Sequence, residues 1–123
     1  HVSVICDSSF PTYLLAHWGR DRAQGRFDFS WLVKRLTSDN ARAMGLSDRG
    51  VLAPGMKADL NVIDFDGLTL RMPRVARDLP AGGARLVQEA DGYVATMVSG
   101  EITRRRGVDT GARPGRLVRG ARS

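Results

Sequence analysis

Catalysis or metal binding would have to draw on a short roster of side chains: His1, Cys6, Asp7, Ser8, Ser9, His17 and Asp21 near the start, and Asp59 farther on. Zinc ligation needs several imidazole, thiolate or carboxylate groups converging at fixed spacing, and the chain has neither a His-x-His pair nor a Cys-x-x-Cys pair. No metal ligand is therefore assigned. Cys6 is the single cysteine, so no internal disulfide can form, and a reducing, cytoplasmic setting is expected. It reads first as a small buried hydrophobe, since a reactive thiolate needs an electropositive setting. Ser8, Ser9 and Cys6 lack a base in an evident triad arrangement. His17, beside Trp18 on an expected helix, reads as a packing or capping residue rather than a ligand. Asp7 and Asp21 are expected to pair at the surface with Arg20 or Arg22. Asp59 is expected to hold a loop through backbone N–H groups rather than to act as an acid.

These residues belong to a chain of 123 with 42% apolar and 26% charged content, the balance of a globular domain or part of one. No run approaches the roughly 20 apolar residues of a membrane span, so no membrane partner is expected. The net charge of +6 is uneven: residues 1–100 are nearly balanced, and residues 101–123 hold seven arginines against Glu101 and Asp109. Such a tail could touch phosphates, but it has no interleaved aromatics for stacking and no helical pattern for a groove. Nucleic acid is therefore not the expected partner. Arginine outnumbers lysine 17 to 2 along the whole chain, which points to compositional bias rather than a binding device.

The hydrophobic period changes near residue 50. Phe10, Leu14, Leu15 and Trp18 form one helical stripe that Pro11 could open and Gly25 could close. A second helix starting at Asp28 or Ser30 would bury Trp31, Leu32 and Leu36. A third, from Thr37 or Ser38, would place Ala41 and Met44 on one side and stop at Gly45. After that the period shortens to two. Leu60, Val62 and Ile63 are expected to enter a sheet, "ARLVQEA" and "GYVATMV" are joined through Asp91-Gly92, and a hairpin turns at Ser99-Gly100. The stretch "DGLTLRMPRVARDLPAGG" is expected to be largely loop. Helices first and strands second suggest an α+β class, or the tail of one domain followed by part of another.

A polar segment bridges the halves, "RGVLAPGMKADLNVID", with turns at Gly50 and Pro54-Gly55 ahead of a strand. Together with the preceding helix, "LTSDNARAMGLSDRGVLAPGMKADLNVID" resembles the junction that follows the last barrel helix in the metal-dependent amidohydrolase superfamily. "DLPAGGARLVQEADGYVATMVSGEITRRRG" is similar to the C-terminal end of its N-acyl-D-amino-acid deacylase (D-aminoacylase) branch. "VICDSSFPTYLLAHWGR" is similar to the loop and helix after the eighth barrel strand.

The resemblance implies three parts. Residues 1–48 would be the end of a (β/α)₈ barrel, with the loop after strand eight and the final helices. Residues 49–106 would be strands of a small β-sandwich, and residues 107–123 a basic, flexible tail. A barrel needs roughly 250 residues, so this chain would supply only its end. The implied parent is a zinc-dependent hydrolase of linear amides acting on small N-acyl amino acids, with the remainder of the barrel as this segment's partner. Its acid/base Asp would lie upstream of His1, so no catalytic residue is expected within 1–123, and the chain alone should be inactive. His1, the histidine of the implied Asp-x-x-His step, could line the substrate mouth. The loop "CDSSFPTY" departs from the branch, carrying no Arg or Lys where a basic residue would hold the substrate carboxylate. The alternative is a non-catalytic interaction or assembly module that pairs with a partner chain supplying the barrel.

Overall fold

Pro11 lies in the opening turn of the first helix, where its missing N–H costs no hydrogen bond. In the computed structural model, which describes residues 7–118 with the side chain of Asp7 outside that description, a 3₁₀ turn (Asp7–Ser9) leads into α1 (Phe10–Tyr13). The helix then widens into a π-helical stretch, Leu14–Asp21, ended by a hydrogen bond from the Arg22 N–H to the His17 carbonyl at 3.0 Å. Helix α2 (Phe29–Leu36) starts where the Asp28 carboxylate accepts the Trp31 N–H at 2.9 Å, satisfying one orphan donor of the first turn. Helix α3 (Ser38–Ala43) ends in a Schellman arrangement. Gly45 takes φ +68°, its N–H bonds the Arg42 carbonyl at 3.1 Å, and the Leu46 N–H bonds the Ala41 carbonyl at 2.8 Å.

Strands β1 (Leu60–Ile63), β2 (Thr69–Leu70), β3 (Arg74–Ala76), β4 (Arg85–Val87), β5 (Ala90–Asp91), β6 (Tyr93–Val98), β7 (Glu101–Arg105) and β8 (Val108–Asp109) follow. Four of them form an antiparallel sheet in the order β1-β6-β7-β8, while β2 pairs with β5 and β3 with β4 as two-stranded ribbons. Both hairpins of the sheet turn on two left-handed residues, Ser99-Gly100 and Arg106-Gly107. That backbone matches the twist of the strands it joins.

The core draws on both halves. Leu15, Ala16, Leu32 and Leu68 are buried together, with Trp18, Ile63, Phe65 and Tyr93 packed against them. Leu32 and Leu68 are fully buried. Polar links run alongside: Ser9 Oγ donates to Gln88 Oε1 at 2.5 Å, and the hydroxyls of Thr12 and Tyr93 share a hydrogen bond at 2.8 Å. The Arg20 guanidinium donates to three backbone carbonyls of the β1–β2 loop, those of Phe65, Asp66 (3.0 Å) and Leu68 (2.7 Å).

Several expectations need correction. Of the residues expected to be buried along α2, Leu32 is buried but Trp31 is 42% exposed, and Met44 is 72% exposed where Ala41 of α3 is buried. Val62 is exposed because the β1–β6 register shifts between Val62 and Ile63, turning Ile63 rather than Val62 toward the core. The stretch read as loop contains β2, β3 and Leu68, and "ARLVQEA" divides into β4 and β5, each with a different partner.

Gly92 makes the approach to Leu68 possible. It has φ +95°, and a Cβ there would meet the Leu68 Cα at 2.6 Å. Gly92→Ala is therefore expected to destabilise the chain far more than Gly82→Ala, where φ is also positive (+72°) but no atom lies within 4 Å. Leu68→Ala should cost about 2–5 kcal/mol. Denaturant titrations of the three variants check the ranking.

Candidate functional site

Two places bring functional side chains together: the junction before β1 and a cleft beside the ribbon of β3 and β4. At the junction, Arg49 stands between two carboxylates. Its Nε and Nη2 donate to Asp48 at 2.9 and 3.2 Å, and its Nη1 donates to Asp59 at 3.0 Å. The other Asp59 oxygen accepts the Ser99 N–H at 2.8 Å. Asp59 thus ties the segment ahead of β1 to the β6–β7 hairpin, and both of its carboxylate oxygens are engaged. Lys57 joins through its own N–H, which bonds the Asp48 carbonyl at 2.8 Å, and through its ammonium 3.7 Å from the Asp48 carboxylate. Gly50, φ +88°, presses on α3: a Cβ would lie 2.8 Å from Ala41 Cβ and 3.0 Å from Ser38 Cα. Gly55, φ +84°, has open space around it and needs only the backbone freedom. The junction is a structural joint, with Gly50 fitting the last helix and Asp59 fastening the sheet.

The cleft, about 1040 Å³, is bounded by the ribbon and by β6, β7 and the β7–β8 turn. Its walls are studded with ion pairs. Arg71 holds Asp91 through two bonds, at 2.8 and 2.6 Å, Arg74 reaches Glu89 at 2.9 Å, and Arg85 grips Asp78 at 2.8 and 2.7 Å. Hydrogen bonds from these guanidinium groups hold the carboxyls of Asp78, Glu89 and Asp91 below their ordinary range. The Arg49 hydrogen bonds do the same for Asp48. Carboxylates committed in this way are poor proton acceptors, so the cleft offers charge pairing rather than general acid–base chemistry.

Of the residues singled out from sequence, His1 and Cys6 lie outside the described residues. His17 stacks on Tyr13, with centroids 4.8 Å apart and planes at 10°, and meets Trp18 edge-on at 5.8 Å; it is a packing residue. Asp21 is paired with Arg20 at 2.6 and 3.2 Å. Ser8 is exposed, and Ser9 faces Gln88 rather than a base. Among the described residues no three His, Cys, Asp or Glu side chains gather closely enough to hold a metal ion. These residues therefore do not fit a zinc site. No helix among them is long and apolar enough to cross a membrane. Sequence reasoning missed the Arg20 bonds to the β1–β2 loop and the Thr12–Tyr93 hydroxyl pair. Neither leaves a local signature, since the partners are more than 40 positions apart.

Comparison with known proteins adds to this geometry. A profile described as "Amidohydrolase family" matches residues 1–104. Two curated proteins named 5-methylthioadenosine/S-adenosylhomocysteine deaminase, from Desulfitobacterium hafniense strains DSM 10664 / DCB-2 and Y51, are each 57% identical to this chain over 35 residues. The match takes in 28% of this chain and only 8% of each deaminase. No solved structure matches.

The pairing of carboxylates with arginine sets a pH dependence. Folded-state values below the unfolded ones mean that the stabilisation is complete above the ordinary carboxylate range and is lost as pH falls through it. Thermal melts should be flat from about pH 6 to 8 and decline below about pH 4.5. Arg85→Gln should make the decline shallower, because Asp78 then loses its partner.

Proposed function

The chain belongs to the amidohydrolase family, and on that premise we propose that it is the C-terminal segment of a zinc-dependent hydrolase that cleaves N-acyl amide bonds, with N-acyl-D-amino acids as substrates. The observation that carries this reading is the family match across residues 1–104, joined to the similarity of the junction and C-terminal stretches to the N-acyl-D-amino-acid deacylase branch. The parent reaction adds water across the C–N bond and releases a carboxylate and an amine. When bound, zinc lowers the pKa of water and polarises the amide carbonyl. The described residues do not fit that ion, so the reading assigns its ligands and the acid/base carboxylate to the remainder of a longer protein.

The role left to this chain is mechanical. Helices α1 to α3 would close the end of a (β/α)₈ barrel, and the Arg49–Asp59–Ser99 connection would hold a small β-sandwich against it. On its own the segment would be inactive. One other activity has a specific observation in its favour: the 57% identity to two deaminases supports hydrolytic removal of an amino group as ammonia. A third reading makes the chain a non-catalytic module whose partner chain supplies the barrel.

One assay series separates these. The full-length protein should release free amine from N-acetyl-D-amino acids. It should lose that activity on chelation and regain it with zinc, while the 123-residue chain shows none. Ammonia released from S-adenosylhomocysteine, with no amide cleavage, would replace the first reading by the second. Turnover by residues 1–123 alone would defeat it outright. Co-purification of this chain with a separately encoded barrel would favour the module.

A further inference from the structure

Aromatic rings are usually the best-buried part of a core, and here they are not. Of eight aromatic residues, five are 37–60% exposed: Phe10, Tyr13, Phe27, Phe29 and Trp31. All lie between residues 10 and 31, on the helical half of the chain. Most of them belong to one contiguous row. Tyr13 stacks on His17, His17 meets Trp18, Trp18 lies 5.7 Å from Phe27, and Phe27 lies 5.1 Å from Trp31. Trp18 anchors the row in the core.

Arginine borders it. The Arg22 guanidinium sits 4.1 Å over the Trp18 ring and that of Arg35 sits 4.8 Å over Trp31. Arg22 and Arg26 make no ion pair among the described residues; they donate to the carbonyls of Gly25 and Arg20, both at 3.4 Å. Exposed tyrosine and tryptophan beside arginine is the composition of protein–protein hot spots.

We infer that this aromatic face is a docking surface, and that its occupant is an apolar surface fringed with carboxylates, supplied by another part of the longer protein. The inference rests on the reading of the chain as a segment of a larger hydrolase. Charge selects the occupant. A second copy of the chain would bring one arginine rim against another, which like-charge repulsion opposes. Stacking of nucleic-acid bases needs free ring faces, and here neighbouring rings and guanidinium groups cover them, as Phe27 covers Trp31 at an interplanar angle of 23°. What remains on offer is ring edges and unpaired cations, suited to packed aliphatic groups with an acidic rim.

Hydroxyl-radical footprinting of the full-length wild-type protein, read by mass spectrometry, tests this without any substitution. Each residue's oxidation rate is divided by its rate in the urea-unfolded protein. Tyr13 and Trp31 should be protected several-fold more than Met72, which is 87% exposed and belongs to no part of the ring row. The protection should not change with protein concentration. Reversing the rim with R22E and R26E together should raise oxidation of Tyr13 and Trp31, most strongly at low salt. Protection no greater than that of Met72 would overturn the inference, and so would protection that grows with concentration, the mark of a second copy. Amide hydrolysis is measured on the same preparation. A protein with a protected face and no amidase activity would defeat the functional reading and leave the docking surface standing.

Discussion

Leu32 of α2 and Leu68 of the β1–β2 loop are both fully buried and belong to one small core. Arg20 fixes the geometry beside them: it is bound to Asp21 at its own end and to three carbonyls of the loop at the other. A guanidinium presents its donors in a rigid fork, so one side chain can satisfy several carbonyls that would otherwise need water. The hydrophobic term supplies most of the stability, and the fork sets where the loop lies. The Ser9–Gln88 and Thr12–Tyr93 hydrogen bonds and the packing of Ile63 and Tyr93 on the core join the same two halves. The Phe65 ring fills the space beside it, 5.5 Å from the Arg20 guanidinium and 4.4 Å from the Phe29 ring.

So small a core leaves much apolar surface outside it. Along the helices the surplus is aromatic and edged with arginine; on β3 and the loop ahead of it, it is aliphatic, at Val75 and Met72. The two ribbons and the segments beside them carry charge in pairs that satisfy each other, Arg71 with Asp91, Arg74 with Glu89 and Arg85 with Asp78.

Local chemistry in the sequence was a good guide where local forces decide. The Asp28 cap, the Gly45 stop and the two-residue turn at Ser99-Gly100 depend on side chains within a few positions of one another, and each was readable. Val62 defeated the alternation rule because a bulge is set by the partner strand, not by the strand's own pattern. Leu68 was hidden in a polar stretch, since its burial depends on Gly92 meeting it across the fold. The Arg20 fork had no signature either: one arginine among 17 carries no mark of the carbonyls it will reach. At the candidate sites the sequence indicated that the junction is a joint, and the structure supplied its fastening, from Asp59 to a hairpin 40 residues away.

The widened turns of Leu14–Asp21 make segment length itself a structural parameter. Such windings hold about one more residue per turn than an ordinary α-helix. Losing a single residue while this winding is kept would swing everything after it around the axis by roughly 80–100°. Arg20 would then point away from the loop, although every apolar residue of the helix was still present. Natural variation in this stretch should therefore tolerate exchange of side chains far better than gain or loss of a position.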